Sequence, residues 1–192
     1  GPGVTQVKVG DRVGCRTRDY HGYAQQRLAL ADQLFKIPSS IDDSTAAAVL
    51  LRGLTALMLV RYTHRLEPGM VVLVHAASGG VGQLVCQWAH HLGARVIGTV
   101  GSEEKGRIAR ENGCEEVILY RSENFVDRVR AITAGRGVDV AYDSVGKDTF
   151  LGSLECLALR GHLINFGQSS GAVAPLPMPL LGMESESASE AA

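Results

Sequence analysis

From residue 41 onward the apolar positions alternate between two textures. Short runs rich in β-branched residues, such as Val71-Val72-Leu73-Val74, suit parallel strands covered on both faces. Between them lie stripes at intervals of three and four, the spacing of one helical face. The run at 71–74 passes into a glycine-rich turn. A helix follows, striped by Val81, Leu84, Val85, Trp88 and Leu92. Further strands are predicted at Arg95–Val100, Glu116–Leu119, Val138–Tyr142 and His162–Phe166. The helices between them are Glu103–Asn112, a segment capped by Ser122 with Phe125, Val126, Val129 and Ile132 on one face, and a stripe of Phe150, Leu151, Leu154, Leu157 and Ala158. An Ala- and Leu-rich helix, Ala46–Tyr62, precedes the first strand, with Asp42, Asp43 and Ser44 as cap and first-turn acids. This alternation predicts an α/β fold: a doubly wound parallel sheet of about five strands with right-handed crossovers.

Residues 4–37 differ. Val7, Val9 and Val13 alternate around the turn signal Gly10-Asp11, and Gly22-Tyr23-Ala24 precedes a second run, Arg27–Leu30. Such strands are too few to bury a core alone, and they read as the last part of a β-rich domain. Gly1-Pro2 resembles the remainder of a cleaved tag. Residues 183–192 are polar, acidic and without apolar period, and read as an irregular tail. The expected division is 1–40, remnant of the β domain; 41–174, the α/β domain; and 175–192, irregular tail. The chain thus reads as part of a longer protein.

Composition narrows the function. The net charge of −1 offers no electrostatic footprint for nucleic acid or an anionic membrane. No apolar run is read as reaching the ~20 residues that span a bilayer. Cys15, Cys86, Cys114 and Cys156 are spaced too irregularly for a zinc site or a disulfide framework, which predicts reduced thiols in a cytoplasmic protein and no metal.

The glycine turn carries the chemistry. Its pattern is Ala77-x-Gly79-x-x-Gly82, with Ala in place of the usual first glycine. A strand before it, a helix after it and a second strand about 20 residues on give the context of a dinucleotide site. The helix start offers unpaired N–H groups and a positive dipole end to phosphate. The tip of the second strand reads Gly98-Thr99-Val100-Gly101-Ser102, with no acid for a ribose 2′-hydroxyl. Lys105 one turn on and Tyr120 at the end of the third strand suit a 2′-phosphate. This favours NADPH. Against it, Lys105 also reads as a solvated helix residue, and Glu103 or Glu104 could turn back toward a ribose. Ser144-Val145-Gly146 and the loop 166–171 fall where ribose and nicotinamide should pass, or are plain turns. Gly53-Leu54-Thr55 reads equally as a close helix contact or as a place where a ligand meets the Thr55 hydroxyl. His75 reads as a core or subsite residue, and His90-His91 as a favourable contact with a helix end. No acid–base dyad stands out, so the catalytic residues stay unassigned.

The stretches GDRV (10–13), GLTA (53–56), HAASGGVGQLVCQWAHHLGARVIGTVGS (75–102), Tyr120-Arg121, VDVAYDSVGKDTF (138–150) and GHLINFGQSSGAV (161–173) resemble the NADPH-dependent quinone oxidoreductases, the zeta-crystallin-like branch of the medium-chain dehydrogenase/reductase superfamily. The resemblance implies a GroES-like β domain, of which a remnant precedes a Rossmann domain, with the active site between them. It implies zinc independence, a homodimeric parent protein, and transfer of hydride or electrons from NADPH to a quinone. Thr55, Gly79, Gly80, Val81, Gly82, Ser102, Lys105, Tyr120, Ser144, Gly167 and Ser169 match the family's cofactor contacts by position. Two departures matter: most of the GroES-like domain is absent, and no sixth Rossmann strand is recognisable, since Pro175-Leu-Pro-Met-Pro179 cannot be a central strand. The fifth strand should then be an exposed edge, and the chain alone should bind cofactor with little or no catalysis. The competing readings are an NADPH-dependent enoyl or alkenal reductase, including the enoyl reductase of a polyketide synthase, and a non-enzymatic, crystallin-like cofactor-binding protein.

Overall fold

In a computed structural model, residues 3–15 and 22–177 are described. Gly1-Pro2 and the acidic stretch 183–192 lie outside them. The predicted sheet forms: β3 (Val71–Val74), β4 (Arg95–Val100), β5 (Glu116–Leu119), β6 (Val138–Asp143) and β7 (Leu157–Asn165), in the order β5-β4-β3-β6-β7. All four pairings are parallel. Period-two alternation sends Val72, Val74, Val96 and Val100 to one face and Leu73 and Ile97 to the other. The first face packs on α1 (Asp43–Leu57) and α2 (Gly80–His91) through Ala56, Val85, Cys86 and Ala89. The second packs on α4 (Phe125–Ile132) through Val126 and Val129. Each fully buried Val or Leu side chain contributes roughly 1.5–3 kcal/mol. Chain order reverses between β3 and its neighbours β4 and β6, which opens a crevice at their carboxyl ends.

Helix starts follow local capping chemistry. Asp42 accepts from Thr45 N at 2.8 Å to start α1. Ser102 accepts from Lys105 N to start α3 (Glu103–Glu111). The cap of α4 is Asn124, not Ser122: Asn124 accepts from Val126 N at 2.9 Å, while the Ser122 hydroxyl turns to Leu119 O. The last turn of the first long helix widens to a π-helix, Met58–Thr63, and the buried Tyr142 hydroxyl donates to the Leu59 carbonyl there. Together Asp43–Thr63 span 21 residues with mean hydropathy 1.4, long and apolar enough by length and composition to cross a bilayer, contrary to the sequence expectation. In this fold Ala56, Leu59 and Val60 of that rod are buried in the domain core instead.

The end of the sheet departs from the sequence reading. Helix α5 (Phe150–Glu155) stops before Leu157, and Cys156 O accepts from Val138 N at 2.8 Å. That bond draws Leu157 and Ala158 into β7 rather than onto the helix. β7 bends at Arg160, whose φ is +64°, and it forms one edge of the sheet, as expected for the fifth strand. Before the domain, β1 (Val13–Cys15) pairs antiparallel with β2 (Leu34–Lys36). The expected strand at Arg27–Leu30 does not form: Leu28 and Leu30 stay exposed, whereas Phe35 packs over Gly14. Arg12 ties this ribbon to α1 through Asp43 at 2.6 Å.

Candidate functional site: the glycine turn and its crevice

Beyond Val74 the chain stays in the sheet for a few residues, with His75 N donating to Tyr142 O and Ala77 N to Thr99 O. Ala76 then takes φ +51°, and Gly79 N closes the turn on Ala76 O at 2.8 Å. Gly82 is held against this turn: a Cβ there would strike the Ala76 carbonyl and lie 3.0 Å from Ala77 Cα. Ala77 replaces the usual first glycine because Gly98 of β4 leaves room for its methyl. No side chain caps α2 and no acid occupies its first turn, so its first N–H groups face outward.

A cavity of about 540 Å³ lies in front of this turn. His75 and Thr99 form its floor, and Ala76, Ser78 and Gly79 one wall. Lys105 and Tyr120 stand on another side, and Val145, Thr149 and Ser169 on a third. Four of the sequence-predicted residues therefore line one space: Gly79, Lys105, Tyr120 and Ser169. Tyr120 lies across the β4 tip, its hydroxyl 2.8 Å from where a Gly101 Cβ would stand. Glu103 and Glu104 are exposed and outside this lining, so the tip meets a cation and a phenol but no carboxylate from them. Asp148 is the acid that does line the cavity, on the side of the 144–149 loop.

The other predicted residues sit around this space. Ser102 caps α3, Val81 packs on the core, and Gly80 lies under the Arg52 side chain. Gly167 approaches Ser144 so closely that a Cβ would be 2.7 Å from its carbonyl, and Ser169 N donates to that carbonyl. The Thr55 hydroxyl donates to Leu51 O at 2.9 Å, within its own helix.

Beneath the floor lies a polar network that the sequence does not announce. His75 Nδ1 is 2.9 Å from Thr99 Oγ1, and His75 Nε2 is 2.9 Å from Ser153 Oγ. Ser153 is also 3.2 Å from Asp143 Oδ2. Asp143 is fully buried and accepts further from Val145 N, Gly146 N and the Thr149 hydroxyl at 2.8–3.0 Å. Ser153 Oγ is also 2.8 Å from Thr149 O, so its single hydrogen is taken by that carbonyl or by the carboxylate; in both cases His75 Nε2–H donates to Ser153 and Thr99 donates to Nδ1. Burial holds the His75 pKa down to about 4, opposed by the Asp143 charge, so the ring is neutral. The Asp-Ser-x-Gly run signals an Asx-type turn. Only the topology, which sets β3 beside β6, shows that the same carboxylate reaches toward His75. Among the described residues no three His, Cys, Asp or Glu side chains converge as a metal site.

The sequence matches the zinc-binding dehydrogenase family over residues 80–189. It is 47% identical to 2-haloacrylate reductase of a Burkholderia species over 178 residues, 92% of this chain and 54% of that protein. The fold superposes on Pseudomonas syringae quinone oxidoreductase with a TM-score of 0.90 at 43% identity, covering 93% of this chain and 55% of that one. Escherichia coli quinone oxidoreductase complexed with NADPH gives a TM-score of 0.85 at 43% identity, over 95% of this chain and 56% of that one. The chain thus spans about half the length of the relatives it matches.

Proposed function

The chain belongs to the zinc-binding dehydrogenase family, and from that premise we propose that it forms the NADPH-binding part of a quinone oxidoreductase. One observation carries the cofactor assignment: the acid-free β4 tip, with Lys105 and Tyr120 lining the same cavity as Gly79. NADPH bound there would supply the hydride. The chain's own residues bind and orient. Gly79, Gly80, Val81 and Gly82 offer the diphosphate a close backbone and the outward N–H groups of α2. Ser102, Lys105 and Tyr120 take the 2′-phosphate by charge-assisted hydrogen bonds. Ser144, Gly167 and Ser169 shape the ribose and nicotinamide side; Thr55 on α1 would have to turn its hydroxyl away from Leu51 O to join them. The Asp143 network fixes the 144–149 loop and keeps the floor rigid. The likeness to an enzyme crystallised with NADPH supports this reading. Titration calorimetry with both dinucleotides tests it: NADPH is expected to bind at least tenfold more tightly than NADH, and tighter NADH would sink the assignment.

The substrate is read as a quinone, since several relatives carry that name. The 2-haloacrylate reductase relative favours a second reading, reduction of an electron-poor alkene, the enoyl-reductase class. Comparing 1,4-naphthoquinone with an enoyl thioester as acceptors for the whole parent protein separates the two. We also read residues 1–40 as the remnant of a GroES-like domain, 41–174 as the Rossmann domain and 175–192 as an irregular tail, of which 178–192 lie outside the described residues. The parent protein is read as a cytoplasmic homodimer without membrane or nucleic-acid partners. Its four unpaired cysteines support a reducing compartment.

A further inference from the structure

Arg52 is the residue of α1 that reaches the glycine turn. Its side chain lies across Gly80, the first residue of α2: a Cβ on Gly80 would stand 2.6 Å from Arg52 Nε and 2.7 Å from Cζ. Gly80 has no left-handed backbone to explain a glycine. Its missing side chain makes the seat for the guanidinium. Among the described residues Arg52 has no ion pair and no hydrogen-bond partner for its side chain. Yet it stands at the positive end of the α2 dipole, where a cation is unfavourable and an anion is favoured. The two positive features are brought together over a backbone without a side chain, one residue on from Gly79, which lines the cavity; Arg52 and Gly80 are not themselves in that lining. An anion shared between the guanidinium and the first N–H groups of α2 resolves the conflict.

We propose that Arg52 is a cofactor-binding residue that clasps the diphosphate bridge of the dinucleotide against the start of α2. This rests on the dinucleotide reading above and adds a division of labour to it. Arg52 meets the group that NADPH and NADH share, whereas Lys105 and Tyr120 meet the 2′-phosphate that only NADPH carries. Arg52 also carries no sequence fingerprint: it lies 27 positions before Gly79, outside the strand–turn–helix unit that marks the turn.

The test is titration calorimetry of NADPH and NADH on the full chain, with R52M, R52K and K105M beside the parent sequence. Arg52 is exposed, so R52M should keep the fold, which circular dichroism checks. R52M is expected to weaken both dinucleotides by the same factor, tenfold or more. R52K should recover part of that loss, and K105M should weaken NADPH alone. R52M should also lower the slope of log Kd against log salt concentration. Unchanged binding by R52M, or a loss confined to NADPH, overturns the role of Arg52 while leaving the dinucleotide site standing. If the parent chain binds neither dinucleotide, the cofactor reading falls first and Arg52 with it.

Discussion

Gly82 and His75 show how single residues set the terms of this site. Gly82 is required by close approach, because the Ala76 carbonyl occupies the place of its Cβ. Gly82→Ala should cost about 2–3 kcal/mol through overpacking and shift the turn. Its melting temperature should fall by several degrees and NADPH affinity with it; a variant that melts and binds like the parent would refute the contact. His75 makes a prediction about acid. Burial keeps its ring neutral down to about pH 4, whereas in the unfolded chain it protonates near its ordinary value of 6.5. Between those limits the unfolded state binds the extra proton, so stability falls as pH drops from about 6.5 to about 4, by roughly 3 kcal/mol in all. Urea unfolding at a series of pH values should show this slope, and it should flatten in His75→Gln. An equal slope in the variant would assign the effect elsewhere. The glycine turn was legible because its residues are adjacent in sequence. The partners of His75 were not, since Thr99, Asp143 and Ser153 come from β4, β6 and α5 and meet only through the strand order.

At the scale of elements, the strands buried on both faces were the readable ones. The bounds predicted for β4 and β5 match the structure, because continuous apolar runs there end at a polar turn or a glycine. Helix α5 and strand β7 were confused because Leu154, Leu157 and Ala158 satisfy helical spacing. The deciding influence was non-local, the bond from Val138 N to Cys156 O. The resulting strand is nine residues long and lies at an edge, with Leu159 83% exposed. An exposed apolar edge pairs with other chains unless something covers it. Leu159→Lys should therefore raise the monomer fraction at micromolar concentration in light-scattering chromatography, and an unchanged profile would remove β7 as the contact. Arg160, at φ +64°, carries left-handed strain in the same strand. Arg160→Gly should relieve it and raise stability by up to about 1 kcal/mol, read as a small rise in melting temperature.

The whole molecule brings together the crevice proposed for the nucleotide and an uncovered helix. Val49, Leu51, Leu54, Met58 and Tyr62 along the first long helix are all exposed, beside the turn that Arg52 reaches. An apolar surface of this kind calls for a covering partner. The relatives are nearly twice as long as the stretch they share with this chain. In the crevice, the side proposed for the cofactor carries a glycine turn, a cation, a phenol and a carboxylate-braced loop. No acid–base pair stands out among the residues assigned to this crevice, and hydride transfer places few demands on protein proton chemistry, so an acceptor needs chiefly a closed, dry seat beside the nicotinamide. Binding and turnover should accordingly come apart. This polypeptide should bind NADPH measurably, while its oxidation of NADPH with 1,4-naphthoquinone, followed at 340 nm, should stay near the uncatalysed rate. A full-length quinone oxidoreductase relative under the same conditions should turn over many times. Robust turnover by the chain alone would show that the described crevice already seats the acceptor, and would move the substrate site onto the 144–149 and 166–171 loops.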